Sequence, residues 1–244
     1  MDGTVLALFL ASIFFGGIVS GLAGFAMGLV VSGIWLHILT PIQTAALIVG
    51  YGLLVQSYSI WTLRHALRWR TVAPFILGGA LGVPLGTALL SYIDPAYLRI
   101  GVGLLLIVYS IYSLARPHLK RMHAGFAVET GVGMINGMMG GLTGLAGPFI
   151  TIWCQLRGWP KDEQRAIFQP VILATFVLSA VSLSVAGAVT AELTRLYVYG
   201  LPFLAAGVWT GIKLYGHLDD AAFRKVVLVL LLISGFVLVV PELL

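Results

Sequence analysis

Apolar residues run in eight long blocks, at roughly 4–37, 42–62, 72–91, 97–115, 124–156, 166–188, 196–214 and 225–241, and the charged residues gather between them. A helix needs roughly 17–25 predominantly apolar residues to cross a hydrocarbon core about 30 Å thick, and every block reaches that length. None alternates apolar and polar positions as a half-buried strand does. Backbone groups in lipid must bond within their own segment, so helices are predicted throughout. The fold class is an all-α integral membrane protein.

The first and fifth blocks stand apart: both exceed 30 residues, and both carry glycines through their middle. At an offset of 116, Gly17, Gly21, Gly24 and Gly28 fall on Gly133, Gly137, Gly140 and Gly144. The likeness continues downstream at larger offsets. Gly82 and Gly86 match Gly207 and Gly211 at 125, and Gln43 matches Gln169 at 126. The chain therefore reads as two homologous halves, 1–116 and 124–244, joined by a basic linker at 117–123. Each half is a glycine-broken helix followed by three transmembrane helices. Duplicated halves with interrupted helices are a mark of secondary transporters.

Charge placement bears on topology. If all eight blocks cross once, the fourteen Lys and Arg divide seven against seven between the two sides. If the first and fifth blocks instead re-enter on the side they left, twelve fall on one side, and only Arg99 and Arg195 fall on the other. The excess of Lys and Arg marks the cytoplasmic side of a membrane protein, so inverted repeats are the expectation. Eight ordinary crossings remain the alternative.

Composition adds exclusions. Only 9% of the 244 residues are charged and 59% are hydrophobic, with a mean hydropathy of +1.02. A soluble domain carries about 25% charged residues. The net charge of +5 sits in short clusters at segment ends, as orientation signals do, and implies no nucleic acid. One cysteine, Cys154, excludes an internal disulfide, and the dispersed histidines give no metal-ligand spacing. No nucleophile with a base and no G-x-x-x-x-G-K-[ST] phosphate loop is present. Neither an enzyme nor a bound cofactor is expected, and ATP is not the energy source within this chain.

The breaks carry the candidate chemistry. A helix that restarts inside a membrane opens with free N–H groups and a partial positive charge, which together form an anion site without a basic side chain. Glycine lets a ligand approach the backbone closely. The expected substrate-binding residues are Ser20, Gly21, Gly24 and Gly28 at the first break. At the second they are Asn136, Gly137, Gly140, Gly141, Thr143 and Gly144. Gln43 and Gln169 are placed beside them, lining the cavity, with helix–helix hydrogen bonding as the alternative. The competing reading is that the glycines only let helices pack closely. Glu129, the one carboxylate well inside an apolar block, is the candidate for proton coupling, with pairing to Lys120 or Arg121 as the alternative. The polar run Gln56–Ser59 and Arg165 are assigned to the membrane interface, the latter as an orientation charge. The six tryptophans are assigned mainly to an aromatic belt.

The two glycine-rich first segments, the basic loop 63–70, the helix Gly78–Gly86 running on to Tyr92 and Arg99, and the closing stretch 214–240 together resemble the sulfite exporter TauE/SafE family. It is also called the toluene sulfonate uptake permease family. The resemblance covers nearly the whole chain. It departs from the usual glycine run at Phe25, Ala26 and Met27. It implies a secondary transporter, usually an exporter, of a small anion such as sulfite, sulfoacetate, another sulfonate or a short carboxylate. It further implies the bacterial inner membrane, with proton or sodium coupling and a homo-oligomer as open possibilities. An anion channel or a non-transporting membrane assembly factor is the alternative.

Overall fold

The computed structural model describes residues 3–63, 67–89, 95–115, 122, 124–143, 146–185 and 190–243. The described residues are almost entirely helical. In chain order the helices are α1 (Gly3–Ala23), α2 (Met27–Ile38), α3 (Pro41–Leu63), α4 (Trp69–Leu89) and α5 (Pro95–Ala115). They continue with α6 (Phe126–Thr143), α7 (Pro148–Arg157), α8 (Lys161–Val185), α9 (Ala191–Gly216) and α10 (Asp220–Leu243). Four are long and apolar enough to cross a bilayer, over Gly3–Ala23, Ile42–Thr62, Lys161–Val181 and Asp220–Pro241. Large apolar side chains such as Leu8, Phe15 and Ile233 face outward, which suits lipid and not water.

Local signals set the helix ends. Thr40 and Gln43 form a capping box at the start of α3: Gln43 N donates to Thr40 Oγ1 at 3.3 Å, and Thr40 N donates to Gln43 Oε1 at 3.1 Å. Thr190 caps α9 by accepting from Leu193 N, and Asp219 Oδ1 accepts from Ala222 N at 2.7 Å at the start of α10. Gly158, left-handed at φ 66°, closes α7. Prolines within α4, α8, α9 and α10 are tolerated as they are in membrane helices.

The chain folds as two compact units, each drawing on both halves of the sequence. One holds residues 1–62 and 176–218, the other 63–175 and 219–244. In the first unit α1 lies along α9. Gly17 and Gly21 face Gly207 and Gly211, and a methyl built on Gly211 would strike the carbonyl of Ile18. Behind α1, a core of Phe9, Ile13, Trp35, Leu47, Tyr51 and Leu204 is closed off from solvent. Tyr51 Oη donates to the carbonyls of Leu196 and Tyr197 at 3.1 and 3.0 Å, and its ring stacks on that of Tyr197. Trp35 lies in this core, not in an aromatic belt. Its Nε1 donates to Ser12 Oγ at 2.7 Å, while Trp61, Trp69 and Trp209 are exposed, as belt residues are.

In the second unit α4 lies along α6, and α5 along α10. Gly78, Gly82 and Gly86 of α4 meet the backbone of Thr130, Met134 and Met138. In return, Gly133 and Gly137 of α6 meet the backbone of Phe75 and Gly79. Gly103 and Gly235 make the same close approach between α5 and α10. Helices without a hydrophobic drive to associate in lipid gain their contact through such small residues.

Candidate functional site

Two short helices, α2 and α7, begin a few residues after the helix before them ends. α1 stops at Ala23 and α2 starts at Met27. Gly24 lies at φ 84°, and Ala26, the residue before α2, is left-handed at φ 72°, ψ 0°. No side chain of Ala26 caps α2, whose first helical bond runs from Val30 N to Ala26 O at 3.2 Å. The N–H groups of Met27 and Gly28 therefore precede the helical ladder. A left-handed residue followed by a right-handed one turns successive N–H groups to one side, an anion-binding concavity.

The amide that reaches this break comes from α3. Gln56 Nε2 donates to the carbonyl of Gly24 at 2.9 Å, and Gln56 Oε1 is buried without a hydrogen-bond partner. Ser59, one turn along α3, is also fully buried with an unpartnered hydroxyl. Within the polar run assigned to the interface, Ser57 and Tyr58 are exposed, whereas Gln56 and Ser59 point inward. Their helix runs on past them to Leu63, so depth along the sequence was no guide to burial.

The second break is built differently. α6 ends at Thr143 and α7 starts at Pro148, with Gly147 at φ 127°. Asn136, about two turns back from the end of α6 and wholly buried, accepts from Gly147 N and Ile150 N through Oδ1, both at 3.3 Å. This caps α7 from another helix. It fixes the amide so that Nδ2 is the free end, and Nδ2 has no partner. Pro148 brings no N–H, so the remaining donors here are Asn136 Nδ2 and Phe149 N.

The other expected site residues fall as follows. Ser20 is buried in α1, and its carbonyl accepts from Gly24 N at 2.7 Å. Gly21 and Gly137 lie against neighbouring helix backbones, and Gly140 against Thr175 and Ala146. Gly28 is the second residue of α2, half-buried, and Gly141 is half-buried in α6. Thr143 ends α6, but its side chain and Gly144 lie outside the described residues. Gln43 belongs to the capping box at the start of α3. Gln169 is fully buried and, with its amide oxygen turned toward α8's own Arg165, accepts from Nε and Nη2 at 3.0 Å.

That partner is a finding in itself. Arg165 is 3% exposed and lies within α8, packed inside the protein and not in a loop. Glu129 pairs with Arg157 at 3.4 Å; Lys120 and Arg121 lie outside the described residues. α7 carries further buried polar atoms without partners, Thr151 Oγ1 and both amide atoms of Gln155. Among the described residues no cluster of three His, Cys, Asp or Glu has metal-site geometry.

The model of the family described as "Sulfite exporter TauE/SafE" matches residues 8–238. The chain belongs to this family. It is also 26% identical over 171 residues to the probable inner membrane transporter protein TsaS of Comamonas testosteroni, covering 69% of this chain and 71% of that one. No solved structure gives a significant match. This TauE/SafE member is thus an integral protein of the bacterial inner membrane and belongs with membrane transporters. The two helix starts and the buried polar atoms lie in the parts of the chain that the family model spans.

Proposed function

We propose that this TauE/SafE protein is a secondary carrier that moves a small anion, a sulfur oxyanion, sulfonate or short carboxylate, by alternating access, in the export direction usual for its family. The observation that carries the reading is that α2 and α7 each start beside buried, unpartnered polar groups, with no cation needed to make an anion site. At α2 the donors are the N–H groups of Met27 and Gly28. At α7 they are Asn136 Nδ2 and Phe149 N. Gly24 and Gly147 give the backbone its turn at each place.

The halves act as inverted repeats in this reading. The pairing of α1 with α9 and of α6 with α4 supports a duplication, because the first helix of each half lies along the same later helix of the other. Gly21 and Gly137 contribute by holding the broken helices against their neighbours, and Gln169 by holding Arg165.

Flux into proteoliposomes tests the proposal, with sulfite, sulfoacetate and acetate compared under an imposed gradient. Saturable flux of one of them, with counterflow of the same anion, is expected. Conductance that does not saturate would replace the carrier by a channel, and no flux of any anion from folded protein would end the reading.

A further inference from the structure

We infer that the first break takes an anion that also carries a hydrogen-bond donor, a hydroxyl or amino group placed a short distance from its charged end. This rests on the carrier reading above and narrows its substrate class.

The groups at the break are of both polarities. The backbone of Ala26, Met27 and Gly28 offers N–H groups turned to one side and uncapped by any side chain, which suit anionic oxygens. An anion with acceptors alone would be satisfied by them. Yet the carboxamide brought to the same place by α3 presents an oxygen. Gln56 is 2% exposed, and Oε1 has no partner.

The orientation of that amide is not free. Turning it over would set Oε1 against the carbonyl of Gly24, acceptor against acceptor, and forfeit the 2.9 Å bond that Nε2 now makes. The unsatisfied atom at the first break is therefore an acceptor, fixed in place by the backbone of the break itself. Gly24 lies three residues before Met27, so the amide is bonded to the same short turn of backbone that opens α2. A buried acceptor left empty costs about 1–3 kcal/mol, and the ligand that removes this cost brings an O–H or N–H. Ser59 adds a second unpartnered buried polar atom, a hydroxyl, one turn along α3.

The second break has the opposite character. There the amide at the helix start leaves a donor unsatisfied, Asn136 Nδ2, which an anionic oxygen satisfies directly. The amide at each helix start thus leaves opposite ends unsatisfied, an oxygen at the first and a nitrogen at the second, while Thr151 Oγ1 and both amide atoms of Gln155 lie further along α7.

The test compares matched anions on the purified full-length protein by calorimetry. Isethionate and ethanesulfonate differ by one hydroxyl, as do glycolate and acetate. In at least one pair the hydroxylated anion is expected to bind tenfold or more tightly. Q56M should erase that preference, with a thermal melt confirming that the variant is folded. Equal affinities within both pairs in the wild type would overturn the inference and leave the anion site standing. A preference that persists in folded Q56M would overturn it too. No binding of any of the four would overturn both this inference and the carrier reading.

Discussion

Glu129 and Arg157 stand 3.4 Å apart with little exposure on either side chain, and Arg157 also donates to the carbonyl of Met122 at 3.3 Å. With Met122 N donating to Leu156 O, the pair fastens the residue ahead of α6 to the end of α7. We read the carboxylate of Glu129 as a structural partner of Arg157. E129Q is expected to keep any response of flux to a pH gradient, measured in proteoliposomes. Its stability should fall by about 3 kcal/mol, because it leaves a largely buried guanidinium without its counter-charge. R157A should fall similarly, and the double variant by less than the sum of the two, since both remove one interaction. Loss of gradient-driven accumulation in E129Q with its melting temperature unchanged would reverse this assignment and make Glu129 the proton carrier.

The crossing glycines make a second, sharper prediction. A methyl at Gly82 would meet the Met134 carbonyl, whereas a methyl at Gly79 finds only the Gly133 carbonyl at 3.7 Å, an ordinary contact. G82A should therefore separate α4 from α6 and lower the yield of folded protein, costing at least about 1–3 kcal/mol. G79A should be tolerated or slightly favourable, since alanine is the better helix former. Detergent-extracted yield and thermal melting distinguish the two. Equal behaviour would mean that the helices part more readily than their backbone contact implies.

How far the sequence foretold this molecule depended on the kind of signal. Helices were legible because apolar runs of that length have no other stable form in lipid. The matched glycines read as a repeat, and Gly21 and Gly137 lie against other helices, a partnership that no spacing within one segment reveals. Gln43 sits in a T-x-x-Q pattern whose capping role could have been read directly. Gln56 and Arg165 were hidden for a common reason. Counting polar and charged residues near a segment end as interfacial assumes that the end is at the surface, and burial is decided by which helix covers it. Trp35 was misplaced by the same assumption.

Arg165 and Gln169, one helical turn apart on α8, carry a third prediction. The amide oxygen accepting from Nε and Nη2 at 3.0 Å offsets part of the cost of burying the guanidinium. Hydrogen bonds to a charged group are worth about 1.5–3 kcal/mol. Q169L should lose about that much stability, and Q169E, which keeps two acceptor oxygens, should retain most of it. Thermal melts of the two variants check this, and a Q169L protein as stable as the wild type would show that other groups around Arg165 suffice.

The turn between α1 and α2 ties backbone strain to transport. Ala26 holds φ 72°, a conformation that costs a residue with a Cβ about 1 kcal/mol or more, whereas Gly24 at φ 84° bears it freely. A26G should therefore raise the melting temperature slightly, relieving strain without moving the N–H groups of Met27 and Gly28, and leave flux intact. G24V should do the reverse. A β-branched residue cannot hold that φ, so the Gly24 carbonyl leaves Gln56 and the start of α2 loses its shape. Insertion into the membrane, governed by the apolar runs, should survive while saturable anion flux is lost. Flux preserved in inserted G24V would show that the anion does not depend on this turn. Flux lost in A26G despite a higher melting temperature would mean that the strain itself is needed to open the site.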